Sequence, residues 1–348
     1  MNAKPLRQVV AAAVSLLALG AAAAEAGPVY LPLGNGDRLA VVDHETGKPM
    51  AEVEGLPAPH GVAATPDGRY LVVGSFAERE PGTAMPERPK GMAQAEHEKH
   101  HAKAERAMEA VATIAVLDRQ SLEVVRRIDV PGAVHHVAVS PDGRFAAFTH
   151  PATGKVTVVD LERMEVAATV AVGEAPNYVL FAPDGKLYVS NAGSSDLAVL
   201  ESGSWRTVRR IKLPGGPEHM ALAPDGSRLY LAGAADGKVW AVDTASGEVV
   251  ASADLGDVLH GIDLDADRGR VYVAVLGADR LVALDADTLK VVDERRFAGP
   301  YHVTVIGPEG RLFVTSAAEP VLHVWSLEGL AHVGVEPVGA VGHQMAHL

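Results

Sequence analysis

Histidine is the residue type in this chain best able to do chemistry: there are 15, and there is no cysteine. Six segments resemble one another: PHGVAATPDG (59–68), VHHVAVSPDG (134–143), PNYVLFAPDG (176–185), PEHMALAPDG (217–226), LHGIDLDADRG (259–269) and YHVTVIGPEG (301–310). Aligned on the acid of the closing turn, they place His60, His135, Asn177, Glu218, His260 and His302 at one position, with His136 and His219 one residue later. In the C-terminal segment AVGHQMAHL (340–348), His343 takes the corresponding place. Neutral imidazole is the commonest nitrogen ligand, and several converging rings suit Cu, Zn, Ni or Fe. Without cysteine, a thiolate site is excluded. The candidate metal ligands are therefore His60, His135, His219, His260, His302 and His343. The competing reading is duplication: a histidine copied with the repeat, satisfying backbone groups where a channel meets water.

What positions these residues is the repeat itself. The turn acids Asp67, Asp142, Asp184, Asp225, Asp267 and Glu309 are separated by 75, 42, 41, 42 and 42 residues. A fixed period marks a repeat architecture. Each unit reads as four short strands without a helix, which is a blade of a β-propeller. Inner strands line the channel of such a fold and start at one mouth, so the aligned histidines form a ring there. Residues 28–56 supply only three strands, and 340–348 reads as a lone inner strand. Pairing the two ends would close the ring and leave no open edge. The expected fold is all-β: a seven-bladed propeller over 27–348, closed by its N- and C-terminal strands, six blades continuous and one shared.

The long first interval predicts an insertion over 77–110, at the mouth that carries the ring. Its first part, EREPGTAMPERPKG, is Pro-rich and irregular. Its second part, MAQAEHEKHHAKAERAMEA, is made of strong helix formers. On such a helix His97 and His101 share a face, and with His100 they form a second candidate ligand group. Met85, Met92 and Met108 flank them, and thioether sulfur favours Cu(I). A solvated helix with incidental histidines is the plainer alternative. His97-Glu98-Lys99-His100-His101 also fits H-E-x-x-H formally, but that chemistry needs a buried helix and a third ligand. The tail alternates His343, Met345 and His347, and His150 faces the ring side of its blade; either could contribute a ligand.

Other candidates read as structural. Asp118, Asp160, Asp243 and Asp285 follow third strands and cap turns. Trp240 and Trp325 read as packing. His44, His323 and His332 lie off the aligned position. No nucleophile elbow, phosphate loop or carboxylate pair appears, so no catalytic residue is assigned.

Lys+Arg 31 against Asp+Glu 44 gives a net charge of −13, which argues against a nucleic-acid partner. Residues 1–26 read as a secretory signal: Lys4 and Arg7, an apolar run from Val9 to Ala24, then Ala24-Glu25-Ala26 as a small-x-small cleavage site. No later apolar run is long enough to span a bilayer, so no transmembrane segment is expected after cleavage. The expected address is the periplasm.

The segment Ala182-Pro183-Asp184-Gly185-Lys186-Leu187-Tyr188-Val189-Ser190-Asn191 resembles the YVTN family of β-propellers, whose units carry an SPDG-like turn and a strand ending near TN or SN. The resemblance covers 28–348. It implies the fold, while propellers host many unrelated activities. The hub chemistry is similar to that of nitrous oxide reductase, though this chain lacks a Cys-containing electron-transfer domain. The reading is an exported propeller that binds a transition metal or metal cofactor, copper (or zinc), for non-catalytic handling or delivery. The alternatives are a scaffold that binds another periplasmic protein, and a lactonase- or oxidoreductase-like enzyme with the hub as active site.

Overall fold

A computed structural model describes residues 27–83, 110–233, 235–307 and 309–348. The expected signal segment, most of the insertion and His97, His100 and His101 lie outside the described residues.

Seven antiparallel sheets follow one another along the chain, six of four strands and one of three. Blade 1 is the three-stranded sheet, Val29–Leu33, Arg38–Val42 and Pro49–Glu54. Blades 2 to 7 begin with the inner strands Pro59–Ala64, Val137–Val139, Pro176–Phe181, Pro217–Leu222, Ile262–Asp265 and Pro300–Ile306. Burial explains the sequence pattern within a blade. The second strands are apolar runs covered on both faces, as in Phe145–His150, where every residue is buried. The fourth strands alternate, as in Val291–Arg296, because one face meets solvent.

The ring closes. Tyr30 N–H donates to Ala346 O at 2.8 Å, Ala346 N–H to Tyr30 O at 3.1 Å, and His343 N–H to Pro32 O at 3.1 Å. The C-terminal segment thus takes the inner position of blade 1 through isolated bridges. The core is divided among the interfaces between neighbouring blades. Leu31, Phe313 and Leu322 join blades 7 and 1, Ile114 and Phe148 join 2 and 3, and Leu231 and Val199 join 4 and 5. Among the described residues no helix is long and apolar enough to cross a membrane.

The turns that set the period are built from side chains. Thr65 Oγ1 donates to Asp67 Oδ1 at 2.6 Å and accepts from Tyr70 N–H at 2.9 Å. Gly68, at φ +69°, supplies the left-handed residue that the turn requires. The four third-strand aspartates do cap turns: Asp118 and Asp285, for instance, accept from Ser121 N–H at 2.8 Å and Thr288 N–H at 3.0 Å.

Candidate metal centre

The hub residues converge because the inner strands begin irregularly. Register shifts lie between Pro59 and Gly61, Pro176 and Val179, Pro217 and Met220, and Pro300 and Val303. A bulge breaks strict alternation and re-aims side chains. In blades 3 and 6 the regular strand starts only after His136 and His260, so these histidines precede the inner strands rather than opening them. The same local pairing nevertheless holds His135 N–H to Thr149 O at 3.0 Å and Thr149 N–H to His136 O at 3.1 Å. Glycine follows two hub histidines for a packing reason. A Cβ on Gly261 would stand 2.6 Å from both Tyr301 O and Val303 N, backbone atoms of the next blade. Gly61 has His135 O at 3.0 Å from its Cβ position.

The result is a compact cluster of imidazoles. Ring centroids lie 4.3 Å apart for His60 and His135, 4.2 Å for His135 and His136, 4.7 Å for His136 and His219, and 4.3 Å for His219 and His260. His302 lies 5.1 Å from His219 and 4.7 Å from His260. Among the described residues, three groups bring ligand atoms within 4.8 Å of one another: His60–His135–His136, His136–His219–His302, and Glu218–His219–His260.

The backbone fixes how these rings present their nitrogens. His60 Nδ1 meets His135 O at 3.0 Å, and His136 Nδ1 meets Asn177 O at 2.9 Å. His135 Nδ1 reaches the same Asn177 carbonyl at 3.4 Å. A carbonyl only accepts, so each Nδ1 donates, and in a neutral ring Nε2 then carries the lone pair. Carbonyl-anchored imidazoles of this kind are the usual support of a metal ligand. His136 Nε2 and His219 Nε2 are 3.1 Å apart, and His260 Nε2 and His302 Nε2 are 3.4 Å apart. With metal–nitrogen bonds of about 2.05 Å, such spacings subtend about 98° and about 112° at a shared ion, near the angles of common coordination geometries. Burial, and then the neighbouring imidazoles, hold His219 and His302 far below the usual imidazole pKa. Both are therefore neutral and competent to ligate. His219 Nδ1 is buried without a hydrogen-bond partner. Burial pushes the Glu218 carboxyl up to about 7.

A cavity of about 270 Å³ adjoins the cluster, lined among others by His219, His302, Tyr178, Asp263, Gln344 and His347. Asp263 Oδ2 accepts from Val305 N–H at 2.8 Å. The residue is half-buried and borders the cavity, and burial raises its carboxyl to about 6.

Of the aligned histidines, the structure gathers His60, His135, His219, His260 and His302 into ligand groups. His343 stacks on His60, ring centroids 4.2 Å apart, and belongs to none of the three groups. His136 and Glu218 are the members that the alignment placed at or next to the hub position but that the candidate ligand set left out. For Glu218 the signal was the aligned position itself, and for His136 it was adjacency to His135; at the Pro217/Met220 register shift Glu218 and His219 both enter one ligand group. His150 does not join the hub. Its Nδ1 donates to Ala133 O at 3.1 Å, and its Nε2 lies 2.9 Å from Thr157 Oγ1. The tail alternation does not gather either, because Met345 packs in the apolar cluster with Leu31 and Phe313. His323 and His332, off the aligned position, hydrogen-bond to each other at 3.2 Å.

A model of the family described as "SMP-30/Gluconolactonase/LRE-like region" matches residues 126–318, more than half of the chain. No curated protein matches the sequence. Among solved structures, a functionally unknown protein from Desulfotomaculum acetoxidans superposes with a TM-score of 0.73 at 14% identity, covering 92% of this chain and 98% of the other. A putative 6-phosphogluconolactonase from Bacteroides uniformis gives 0.73 at 14%, covering 93% and 99%. A dihydro-heme d1 dehydrogenase in complex with DHE gives 0.56 at 15%, covering 92% and 74%. At these identities the likeness is one of fold.

Proposed function

We propose that this chain, which belongs to the SMP-30/gluconolactonase/LRE-like family, is a metal-binding propeller that takes a transition-metal ion into its histidine hub, copper ahead of zinc. Its role is handling or delivery of the metal rather than turnover. The observation that carries this reading is the overlap of three ligand groups, two of buried imidazoles and a third joining buried His219 to the half-buried Glu218 and His260, several of the rings anchored to backbone carbonyls through Nδ1. His219 leaves its Nδ1 buried without a hydrogen-bond partner; a buried polar ring is costly without compensation, and an ion that accepts its lone pair supplies it. Imidazole without thiolate, under the Irving–Williams order, favours Cu²⁺ over Zn²⁺. Within the family, the SPDG-type turns support a YVTN-like repeat. Export to the periplasm rests on residues 1–26, and metal capture by a flap rests on His97, His100 and His101. Both are parts of this proposal.

The test is elemental mass spectrometry on untagged protein purified without chelator. Near-stoichiometric metal, lost when His60 and His260 become Ala, supports the hub. Metal lost only on deletion of 77–110 places it in the insertion. No metal after equilibration with Cu²⁺ and Zn²⁺ refutes the reading and turns attention to capture of a partner protein.

One observation favours a second reading, an enzyme with the hub as active site. The cavity that borders His219 and His302 also presents Asp263, whose raised carboxyl could exchange a proton near neutrality. Two of the structures with this fold are described as a putative lactonase and a dehydrogenase. Turnover abolished by Asp263→Asn with metal content unchanged would favour it.

A further inference from the structure

We propose that the hub holds two metal ions at once, one in the all-imidazole group His60–His135–His136 and one in the mixed group Glu218–His219–His260. The group His136–His219–His302 is then the position an ion crosses in passing between them. This rests on the metal-binding reading and specifies what the site takes.

The argument is one of ligand accounting. The first and third groups share no residue, while the middle group borrows His136 from one and His219 from the other. A ring whose Nδ1–H donates to a carbonyl ligates through Nε2 alone and cannot bridge two ions. His136 is such a ring, tied to Asn177 O at 2.9 Å. The middle group therefore cannot be filled while both outer groups are full, and two ions satisfy the hub. With one outer group empty, the middle group offers a continuous path: His136 and His219 face each other with their Nε2 atoms 3.1 Å apart, so an ion can exchange one ligand at a time without becoming bare.

The two outer groups differ in charge. Three neutral imidazoles leave the charge of the ion intact and suit copper in either oxidation state. Glu218 contributes an anion, which suits a divalent ion such as Zn²⁺ or Cu²⁺ and disfavours Cu⁺. The Glu218 carboxylate is half-buried, and its ligand oxygen lies within 4.8 Å of the ligand nitrogens of His219 and His260. The two imidazoles beside it are the partners with which it would share a cation.

The experiment loads the full-length mature chain with Co²⁺, removes excess by dialysis, and counts bound metal by elemental mass spectrometry, with near-ultraviolet circular dichroism as the check on folding. Glu218→Ala should remove one equivalent and keep the other. His60→Asn with His135→Asn should remove the other, and the three substitutions together should remove both. His302→Asn should leave the count unchanged. Metal that survives the triple change belongs outside the hub. If Glu218→Ala disturbs the fold, Glu218→Gln, which keeps the shape, replaces it. The two-ion arrangement is overturned if Glu218→Ala removes none of the hub metal, or if either outer change removes all of it, the mark of a single shared ion. A wild-type hub that takes no Co²⁺, Cu²⁺ or Zn²⁺ overturns the metal-binding reading itself.

Discussion

Acidification should destabilise this propeller through His150, outside the hub, in a window that can be worked out from the structure. His150 closes the strand Phe145–His150 and is 1% exposed. Burial holds its pKa at about 4, against an ordinary 6.5, and Lys155 adds to the effect. Between those values the unfolded chain binds a proton that the native chain refuses, so stability falls as pH falls. The loss begins below about pH 6.5 and is complete below about pH 4, and at 1.36 kcal/mol per unit it amounts to about 3 kcal/mol. His150→Asn keeps a hydrogen-bonding side chain and removes the titration. At neutral pH the variant should be less stable by about 1 kcal/mol, for the altered hydrogen bonds to Ala133 and Thr157. On acidification the difference should shrink and then reverse, because the wild type alone pays the histidine penalty. Guanidinium unfolding of both proteins across about pH 7.5 to 4 measures this. Parallel pH dependences for wild type and variant would refute the reasoning. The result also bears on function, since it sets the pH above which metal release can be measured without unfolding.

Further outcomes follow from particular contacts. Gly261→Ala puts a methyl group 2.6 Å from backbone atoms of the next blade, and should lower stability by about 1–3 kcal/mol in thermal unfolding; Gly334→Ala, with open space around it, should be nearly neutral. Met345→Ala removes a buried side chain from the closure between blades 7 and 1 and should cost about 2–5 kcal/mol in denaturant melts. His343→Phe should retain all the hub metal seen by elemental analysis, whereas His219→Asn should lose the equivalent held by Glu218–His219–His260 and keep the other, because His219 belongs to that group and His343 to none.

How much of this was legible before the structure depends on the range of the interactions involved. Repeat count, strand order and the closing of residues 28–56 by 340–348 follow from local patterns: an alternating strand, an Asp-Gly turn, and their return every 42 residues or so. The position of the hub was legible for the same reason, since the turn acid is a local landmark seven residues from each aligned histidine. His136 and Glu218 were not assigned: the reading took one imidazole per blade, and only the folded inner strands show that two neighbouring residues, His135 with His136 and Glu218 with His219, enter the same ligand groups. His150 looked like a possible recruit because its strand ends at the same side of the ring; Ala133 O and Thr157 claim its ring instead.

The sequence by itself determined the architecture and put histidines at its axis, because the repeat period, turn chemistry and strand burial are encoded within about forty residues at a time. Only the tertiary structure decided which imidazoles meet. That depends on the radius of a closed ring, on glycines that let neighbouring inner strands approach, and on carbonyls of one blade orienting the rings of the blade before it. These are relations between residues 41 to 83 positions apart, and no local pattern contains them.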